Sequence, residues 1–335
     1  MQQHIHSILT ITLFAFLTCI LLTGCQDILV KELDIEEDFD YISELGLSGT
    51  LSNNYGDSTF PAFSRFLLAE NQSIVEQVED PTYYDSDALN LYKNGDYYNT
   101  FTNIGDGNHI NQNQGSNLPS FTFDSGDYRI EVDHPEFGLV SAETQMPDPV
   151  FLNSIEVDSF NFGGLDDDES RFIVTLEFDD PPGDNYYKVS LLDDIDVVFM
   201  DTLIYGEDTL VFENYLYGYI ESFNVQGAQE GYNGGYSFDD SIFDDSAYTF
   251  TFNMVVGNGG GNGGGNIDLD FIEEQFSVRW SCLSESQYNF ERSYTNYQNS
   301  QDFGPFSEPV SLYTNVNNGL GYFGAENYYD AKFME

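Results

Sequence analysis

Cys25 is the residue whose surroundings most directly predict a covalent reaction. It follows Leu22-Thr23-Gly24 at the end of the apolar run Ile8–Leu22. Small residues before a cleavage point, at the end of such a run, are typical of an export leader. We therefore predict that cleavage after Gly24 makes Cys25 the first residue of the mature protein. Its thiol would then carry a covalent lipid anchor.

The leader before this cysteine has the length of a signal sequence rather than that of a membrane span. The run Ile8–Leu22 is shorter than the roughly 20 apolar residues that cross a bilayer. Together with Leu22-Thr23-Gly24-Cys25 it matches the lipobox of bacterial lipoproteins. Met1–His6 contains no Lys or Arg, so the positive charge that usually opens a leader is weak here. The alternative is an ordinary signal peptide or buried helix with an accidental cysteine.

Acidic turns in the body of the chain offer a second kind of chemistry. Carboxylate oxygens are the ligands that Ca²⁺ prefers, but no cluster here has the spacing of an EF-hand calcium loop. The alternative is that each cluster is a solvated acidic loop. The sequence therefore predicts no cofactor and no assigned metal site, with Ca²⁺ as the candidate ion. The candidate ligands are Asp166, Asp167, Asp168, Asp193, Asp194 and Asp196.

Three tyrosines at alternating positions predict an aromatic surface. Tyr215, Tyr217 and Tyr219 share one face of a predicted strand. A tyrosine ring is apolar on its face and polar at its hydroxyl, so an exposed row could hold a sugar or a peptide. Cross-strand packing on the sheet is the alternative, and it is the commoner cause of such a pattern.

The sequence predicts no catalytic residue. Beyond Cys25 it contains two histidines, His109 and His134, and one further cysteine, Cys282. No G-x-S-x-G turn occurs, and a nucleophile–base pair would have to use one of these histidines. His134 precedes a proline in a predicted hairpin turn, where we expect a surface residue. Carboxylate pairs for glycoside hydrolysis are too numerous among the 58 acidic residues to single out any one pair.

The charge of the chain restricts its partners. Asp and Glu number 58 and Lys and Arg number 9, which gives a formal net charge of −49. Residues 1–24 contain none of these four residue types, so all of this charge lies on the mature body. Nucleic acid and anionic membrane surfaces would meet like charge. We therefore predict no nucleic-acid partner and attachment to the membrane through the lipid on Cys25.

The mature body is predicted to be mainly β, because its 24 Tyr and 29 Phe favour strands. We predict a signal peptide over residues 1–24, an acidic tether over 25–44 and an immunoglobulin-like or transthyretin-like sandwich over 45–146. A second β-rich domain with one short helix would span 150–335. The intervening prolines, Pro147 and Pro149, restrict the chain and interrupt strand pairing. The Gly-rich run 257–266 is predicted to be a flexible loop.

Individual strands follow from alternation and turn signals. Ala88–Lys93 alternates and is followed by Asn94-Gly95, a strong hairpin signal. Tyr128–Val132 and Leu139–Thr144 are predicted to pair across a turn. The polar stretch Gly105–Pro119 has no periodicity and is predicted to be a loop.

The second half shows the same patterns and one helix. Arg171–Phe178 alternates, and Phe276–Cys282 is predicted to be a strand that buries Cys282. Ser284 and Gln287 have the spacing of a capping box. The helix that follows would carry three aromatic residues on one face: Phe290, Tyr294 and Tyr297.

Five stretches form a set that extends along the mature chain. They are Ala88–Gly95, Gly126–Val132, Ser141–Thr144 with Pro147, Phe178–Pro181 with Asn185–Tyr187, and Asn315–Ala325. Together they resemble the Bacteroidota lipoproteins of domain-of-unknown-function family 4249, and the last stretch is the most specific. The resemblance implies an outer-membrane lipoprotein of a kind often associated with TonB-dependent receptors. It implies no established activity and no catalytic residue.

Three functions are compatible with these observations. We expect first a non-enzymatic outer-membrane or cell-surface lipoprotein that serves as an accessory or ligand-binding subunit of a TonB-dependent transport system. The alternative is an independent carbohydrate- or peptide-binding module, with Ca²⁺ as its assisting ion. A hydrolase is the third, and it requires an open cleft that contains two carboxylates or one of the two histidines.

Overall fold

The computed structural model describes fourteen stretches of the chain, and all structural statements below concern these residues. The chain divides into two compact units, and every described residue except Ser43 belongs to the larger one, Glu44–Asn71 and Asp80–Glu335. The described residues are 43–55, 62–71, 82–85, 88–112, 119, 121–160, 169–193, 198–205, 208–231, 235–241, 243, 246–258, 276–301 and 310–333.

The described residues form nineteen strands and one helix, so the prediction of a mainly β protein with one short helix is confirmed. The helix, α1, spans Glu285–Gln301. The strands are β1 (Leu45–Asn54), β2 (Arg65–Glu70), β3 (Asn90–Lys93), β4 (Asp96–Thr100), β5 (Thr102–Gly105), β6 (Asn108–Ile110), β7 (Gly126–His134), β8 (Gly138–Met146), β9 (Leu152–Phe160), β10 (Glu169–Asp179), β11 (Tyr186–Asp193), β12 (Val198–Tyr205), β13 (Asp208–Phe223), β14 (Gln229–Glu230), β15 (Tyr236–Asp239), β16 (Ala247–Asn258), β17 (Phe276–Leu283), β18 (Val316–Asn317) and β19 (Leu320–Lys332).

A nine-stranded sheet extends through the larger unit in the order β14-β15-β11-β17-β19-β1-β2-β6-β5. Its centre joins the first described strand to the last one, because β1 pairs with β19 in parallel from Gly46 opposite Leu320 to Asn54 opposite Tyr328. Strands from both sides of residues 146–150 therefore share one hydrogen-bonded sheet. The predicted division into domains at that point remains a prediction.

Two five-stranded sheets pack against the same side of the nine-stranded sheet and enclose two cores. The sheet β18-β8-β7-β3-β4 covers β1, β2 and β19, and the first core lies between them. The sheet β12-β13-β16-β10-β9 covers β11, β15 and β17, and the second core lies there. Alternation of apolar and polar residues explains both, because it places one apolar face of each strand inward. The arrangement is a double sandwich built on one shared sheet.

The connection between β8 and β9 is held at Val150. The Val150 carbonyl accepts hydrogen bonds from Trp280 Nε1 at 2.8 Å and from Tyr55 Oη at 3.1 Å. The Val150 N–H donates to Cys282 Sγ at 3.2 Å. Both backbone groups of this buried residue are thereby satisfied. The connection is consequently held in place by side chains from β17 and from the residue after β1.

Helix α1 lies on the other side of the nine-stranded sheet, which we call its outer face. Ser284 caps the helix, since its Oγ accepts a hydrogen bond from the Gln287 N–H at 3.1 Å. Gly324 of β19 lets the helix approach closely, because a Cβ at this glycine would lie 3.0 Å from Gln287 Cβ. No helix within the described residues is long and apolar enough to cross a membrane.

The local predictions can be compared with these elements. The hairpin at Asn94-Gly95 is confirmed, with φ of 52° and 89° and β3 paired to β4. The pairing of Tyr128–Val132 with Leu139–Thr144 is confirmed within β7 and β8. The prediction of a loop over Gly105–Pro119 was wrong in its first part, where Asn108–Ile110 forms β6 and pairs with both β2 and β5.

Candidate functional site

A large open depression in the described part of the chain lies on the outer face of the nine-stranded sheet, beside helix α1. It has a volume of about 1330 Å³ and is lined by β1, β2, α1, the segment 310–314 and the start of β19. We call it the β1–α1 groove. This volume exceeds the ~300–1,000 Å³ that is usual for sites of drug-sized ligands.

The floor of the groove is made by β1. Its sequence LGLSGTLSNN alternates strictly, so that Leu45, Leu47 and Leu51 are fully buried in the first core. Ser48, Thr50 and Ser52 are on the opposite face and line the groove. Because these outward side chains are small, they leave the groove open above β1, and their hydroxyl groups can form hydrogen bonds.

One wall of the groove is the aromatic face of helix α1. Phe290, Tyr294 and Tyr297 recur at i, i+4 and i+7, and all three line the groove, which confirms their predicted common face. Phe290 stacks on Tyr322 of β19, with ring centroids 3.5 Å apart and an angle of 8° between the ring planes. Tyr297 lies in the last turns of the helix and is exposed. Phe290, at the base of this wall, is thus held by its stacking on Tyr322, whereas the ring of Tyr297 is accessible.

The opposite wall comes from β2 and the residues beside it. Phe66 and Leu68 are buried in the first core, so the intervening Leu67 faces outward. Phe63 and Tyr83 line the same wall and are 50% and 41% exposed, respectively. Large apolar side chains that remain this exposed beside a depression are typical of a binding surface.

The end of the groove is formed by the turn between β5 and β6. Asp106 and Gly107 adopt positive φ angles of 51° and 69°, and a Cβ at Gly107 would lie 2.1 Å from the Leu68 carbonyl oxygen. Asp85 accepts a hydrogen bond from the Gly107 N–H at 2.6 Å. This bond holds the pKa of Asp85 below its ordinary value. The turn is thereby fixed so that Asp106 and Asn108 line the groove.

Arg65 and Asn108 form a polar pair within the groove. Arg65 Nε donates a hydrogen bond to Asn108 Oδ1 at 2.7 Å. Arg65 and Asp106 are the charged residues among the described lining residues. The groove therefore combines aromatic rings, hydroxyls and amides with one charge of each sign.

The segment 310–314 closes the groove on the side of the helix. The Tyr313 N–H donates to Ser293 Oγ of α1 at 2.9 Å, and burial raises the pKa of the Tyr313 hydroxyl. Asn315 fixes the end of the segment, because its Nδ2 donates to Glu143 O at 2.8 Å and its Oδ1 accepts from the Phe323 N–H at 2.8 Å. The stretch Asn315–Gly324 lies within the last of the five stretches that carry the family resemblance. It forms β18, a turn and the start of β19, and Leu320, Gly321 and Tyr322 line the groove.

A second, smaller cleft lies where the connection between β8 and β9 meets the start of α1. Its volume is about 530 Å³. Three carboxylates line it: Asp148, Asp184 and Glu285. The buried hydroxyls beside them bind one another, with Thr144 Oγ1 and Ser286 Oγ 2.7 Å apart and Ser284 Oγ and Ser286 Oγ 3.0 Å apart. This cleft contains carboxylates without a histidine or a nucleophile–base pair among its described lining residues.

Several predicted site residues lie outside the described part of the chain. They are Leu22, Thr23, Gly24, Cys25, Asp166, Asp167, Asp168, Asp194 and Asp196, together with residues 259–266 of the predicted Gly-rich loop. The prediction of a loop over 257–266 was wrong for its first two residues, which end β16. Asp193 ends β11 opposite Phe276 of β17. Among the described residues, no group of three or more His, Cys, Asp or Glu side chains could hold a metal ion. The calcium and lipidation assignments remain predictions.

The predicted tyrosine row lies on β13 of a five-stranded sheet, and its members do not line the β1–α1 groove. Tyr215 pairs with Val198 of β12. Tyr217 and Tyr219 are both exposed, and their rings are stacked with centroids 6.5 Å apart at an angle of 9°. Tyr217 lies over Gly257 of the neighbouring strand, where a Cβ would be 2.3 Å from its ring. This contact is the cross-strand packing that the sequence analysis gave as the alternative.

The two histidines of the body are both buried. The expectation that His134 is a surface residue was wrong, because its ring packs against Tyr84 and Phe137 at centroid distances of 4.4 and 4.8 Å. Its Nδ1 accepts the backbone N–H groups of Glu136 and Phe137, which shapes the turn. His109 Nδ1 lies 3.0 Å from the Gly107 carbonyl oxygen, to which it donates. Both rings thus have structural contacts.

Cys282 lies in the second core, as predicted. It is buried beside Trp280 and Val278 on β17, and desolvation raises the pKa of its thiol to about 12. A thiol with so high a pKa carries almost no reactive thiolate at neutral pH.

The comparison with family models identifies a family over most of the chain. Residues 58–331 match the family described as "Domain of unknown function (DUF4249)". The chain belongs to this family. No curated protein matches the chain in the corresponding search.

Most of the groove was not predicted from the sequence. The aromatic face of α1 was expected, but Phe63, Arg65 and the turn at Asp106 were not. One signal was available, because the dipeptide Asp106-Gly107 between short alternating stretches is a hairpin signal of the same kind as Asn94-Gly95. The remaining lining residues come from distant parts of the chain, and no local pattern connects them.

Proposed function

We propose that this protein is a lipid-anchored outer-membrane or cell-surface protein that binds a ligand in the β1–α1 groove as a subunit of a TonB-dependent transport system. The observation that carries the ligand-binding part is the groove itself. Its volume is about 1330 Å³, and its walls present exposed aromatic side chains above a hydroxyl-lined floor. A large pocket that combines apolar walls with a few convergent polar groups is the usual form of a binding site.

The same proposal includes that the protein binds its ligand without catalysing a reaction. The histidines that a triad would require are buried in structural contacts, and the thiol of Cys282 is buried in the second core. Asp106 is the carboxylate among the described groove-lining residues, whereas glycoside hydrolysis uses a pair. These observations support a role in binding rather than in hydrolysis for the β1–α1 groove. The smaller cleft contains Asp148, Asp184 and Glu285 and so provides the two carboxylates that a hydrolase requires, which leaves hydrolysis as the third candidate function.

The membrane attachment rests on the sequence motif. Leu22-Thr23-Gly24-Cys25 ends an apolar leader, and the acidic residues 25–44 would serve as the tether. The net charge of −49 supports attachment through a lipid rather than through an anionic membrane surface. The transporter partner is inferred from the resemblance to outer-membrane lipoproteins that accompany such receptors.

Replacement of Cys25 tests the anchor. We expect Cys25→Ser to abolish incorporation of labelled palmitate and to move the protein from the detergent-rich phase to the aqueous phase. Cys19→Ser is the matched control, because it removes the other cysteine of the leader and should leave both properties unchanged. Palmitate labelling of Cys25→Ser at the level of the unmodified chain would contradict the proposal.

Affinity purification from detergent-solubilised membranes tests the transporter link. We expect a β-barrel receptor to be recovered with the full-length protein. Its recovery should not require an intact groove, so a groove variant such as Tyr297→Ala should retain the receptor. Recovery of the full-length protein without any barrel partner would refute this part of the proposal and leave the binding function to be judged separately.

A further inference from the structure

We propose that the ligand of the β1–α1 groove is an uncharged oligosaccharide whose sugar rings stack on the exposed aromatic side chains. This inference rests on the proposed function, since it names the ligand class of the same groove. The shape of the walls, the pairing of the strands and the charge of the molecule all favour this ligand class.

The walls provide flat apolar surfaces next to hydrogen-bonding groups. Phe63, Tyr83 and Tyr297 are exposed along the groove, and the hydroxyls of Ser48 and Thr50 lie on its floor. A pyranose ring has an apolar C–H face and a rim of hydroxyls, so it matches a ring on one side and polar groups at the edge. The groove provides both kinds of surface along its whole lining.

The hydrogen-bonding pair at the end of the groove suits hydroxyl groups. Arg65 has five N–H donors, and its Nε–H is bound to Asn108 Oδ1 at 2.7 Å. Asn108 Nδ2 in turn donates to the carbonyl groups of Gly105 and Asp106 at 3.1 and 3.0 Å. The pair is therefore held in place before a ligand arrives. A preorganised donor–acceptor group of this kind can recognise the hydroxyl pattern of a sugar.

The strand edges argue against an extended peptide. A peptide that adds to a sheet needs a row of unpaired backbone groups. β1 lies between β19 and β2, and β2 lies between β1 and β6. Beyond β6, Leu68 and Glu70 of β2 donate their N–H groups to Gly107 and Thr82. Along β1 and β2, the described floor and wall of the groove thus present side chains to a ligand rather than a free strand edge.

The charge of the protein argues against an acidic glycan and against a second copy of the chain. The net charge is −49, whereas the described lining contains one cation, Arg65, and one carboxylate, Asp106. A polyanion would be repelled at long range without a basic patch to receive it. Two copies facing each other would repel for the same reason.

Calorimetry with the full-length protein in detergent tests this inference. The probes are neutral cello-, xylo-, malto-, laminari- and N-acetylchito-oligosaccharides, with oligogalacturonides as the acidic comparison and uncharged extended peptides as the peptide comparison. We expect at least one neutral oligosaccharide to bind. Tyr297→Ala and Phe63→Ala should each weaken that binding by about three- to tenfold, because each removes one stacking ring.

Tyr97→Ala is the matched control, because Tyr97 is 61% exposed on β4 and does not line the groove. Its affinity for the oligosaccharide should equal that of the unmodified chain. The unfolding midpoints of all three variants, measured alongside, identify any loss of affinity that comes from misfolding.

The outcomes separate this inference from the proposed function. Binding of only peptides or only acidic glycans, with affinity lost in Tyr297→Ala, would overturn the oligosaccharide and leave the groove as the binding site. Binding of any ligand that is unchanged in Tyr297→Ala and Phe63→Ala would overturn both. No measurable binding of any neutral oligosaccharide at millimolar concentration would overturn the inference.

Discussion

On the outer face of the nine-stranded sheet, the half that contains β11, β15 and the middle of β19 lies beneath helix α1, whereas the half that contains β1, β2 and the start of β19 lines the groove. The covered half buries charged and polar groups. Lys188 Nζ binds Glu291 Oε1 at 2.9 Å, and Gln287 Nε2 donates to the same oxygen at 3.0 Å. The open half exposes aromatic rings above serine and threonine. Charged and polar side chains are thus buried in one half and aromatic side chains are exposed in the other, which is the reverse of the usual pattern.

This difference indicates what each half is for. Buried charges cost desolvation energy, and the Lys188–Glu291 pair joins β11 to α1. Exposed aromatic side chains leave apolar surface in water, and the proposed function gives them a ligand to contact. Thr50 stands at the boundary, because it lines the groove and its Oγ1 donates to Gln287 Oε1 at 2.8 Å. The contacts of the covered half therefore fix the position of helix α1, whose aromatic face is one wall of the groove.

The largest expected effect is the loss of the buried ion pair. Glu291 is only 2% exposed, so Lys188→Met leaves a buried carboxylate without its cation. We expect the free energy of unfolding to fall by about 3–5 kcal/mol, measured by urea denaturation. The double variant Lys188→Met/Glu291→Leu should recover most of this loss, since it removes the stranded charge.

Lys93→Met is the matched control for this experiment. Lys93 binds Asp124 at 2.8 Å, close to the 2.9 Å of the Lys188–Glu291 pair, but the side chain of Asp124 is 83% exposed. Such an ion pair contributes about 0–1 kcal/mol. Equal losses of unfolding free energy in Lys93→Met and Lys188→Met would show that burial in the covered half does not strengthen the contribution of the ion pair.

A valine at Gly324 should separate helix α1 from the sheet. The added Cβ would lie 2.1 Å from Gln287 Oε1 and 3.0 Å from Gln287 Cβ, so the helix must move. We expect a loss of about 1–3 kcal/mol in the same measurement. Ser48→Val places the same side chain on the open half and should change the stability by no more than about 0.5 kcal/mol. If Gly324→Val left the free energy of unfolding unchanged, that result would contradict the close approach of the helix.

The smallest effect is expected at Glu326, whose Oε1 accepts a hydrogen bond from Ser52 Oγ at 2.8 Å near the boundary of the two halves. Desolvation raises the pKa of Glu326. The folded state therefore holds its proton more tightly than the unfolded state, and this carboxyl costs stability as the pH rises above the ordinary Glu pKa. Glu326→Gln removes that cost. The melting temperature of the variant relative to the unmodified chain should rise from about pH 4 to about pH 7.

Glu143→Gln, which removes an exposed carboxylate of β8, controls for the loss of one negative charge from an acidic protein. A relative melting temperature of Glu326→Gln that stays constant between the two pH values would show that Glu326 is not held in a desolvating environment.

Much of the fold was predictable because its strands carry local signals. The alternation in Arg171–Phe178 places Phe172, Val174, Leu176 and Phe178 in the second core, as β10 shows. Ser284 caps α1, and the aromatic face of the helix is as predicted. These features depend on neighbours within a few positions in the chain.

The candidate site was predictable only in part. Tyr294 and Tyr297 were identified as one helix face, but no local pattern indicates that Phe63 and Tyr83 lie across the groove from them. The turn at Asp106 was missed because the polar residues of Gly105–Pro119 suggested a loop. Its conformation is fixed by Asp85, more than twenty positions earlier in the chain.

The sequence by itself determined the strong negative charge, the β-rich class and the capped aromatic helix. It also predicts the lipobox at Leu22–Cys25. Each of these is a property of composition or of short-range spacing. Only the tertiary structure decided that β1 and β19 meet in parallel at the centre of one sheet, and that helix α1 covers half of its outer face. Such pairings between distant strands depend on register and on the burial of whole faces. The groove exists because the covering helix extends over only part of that sheet.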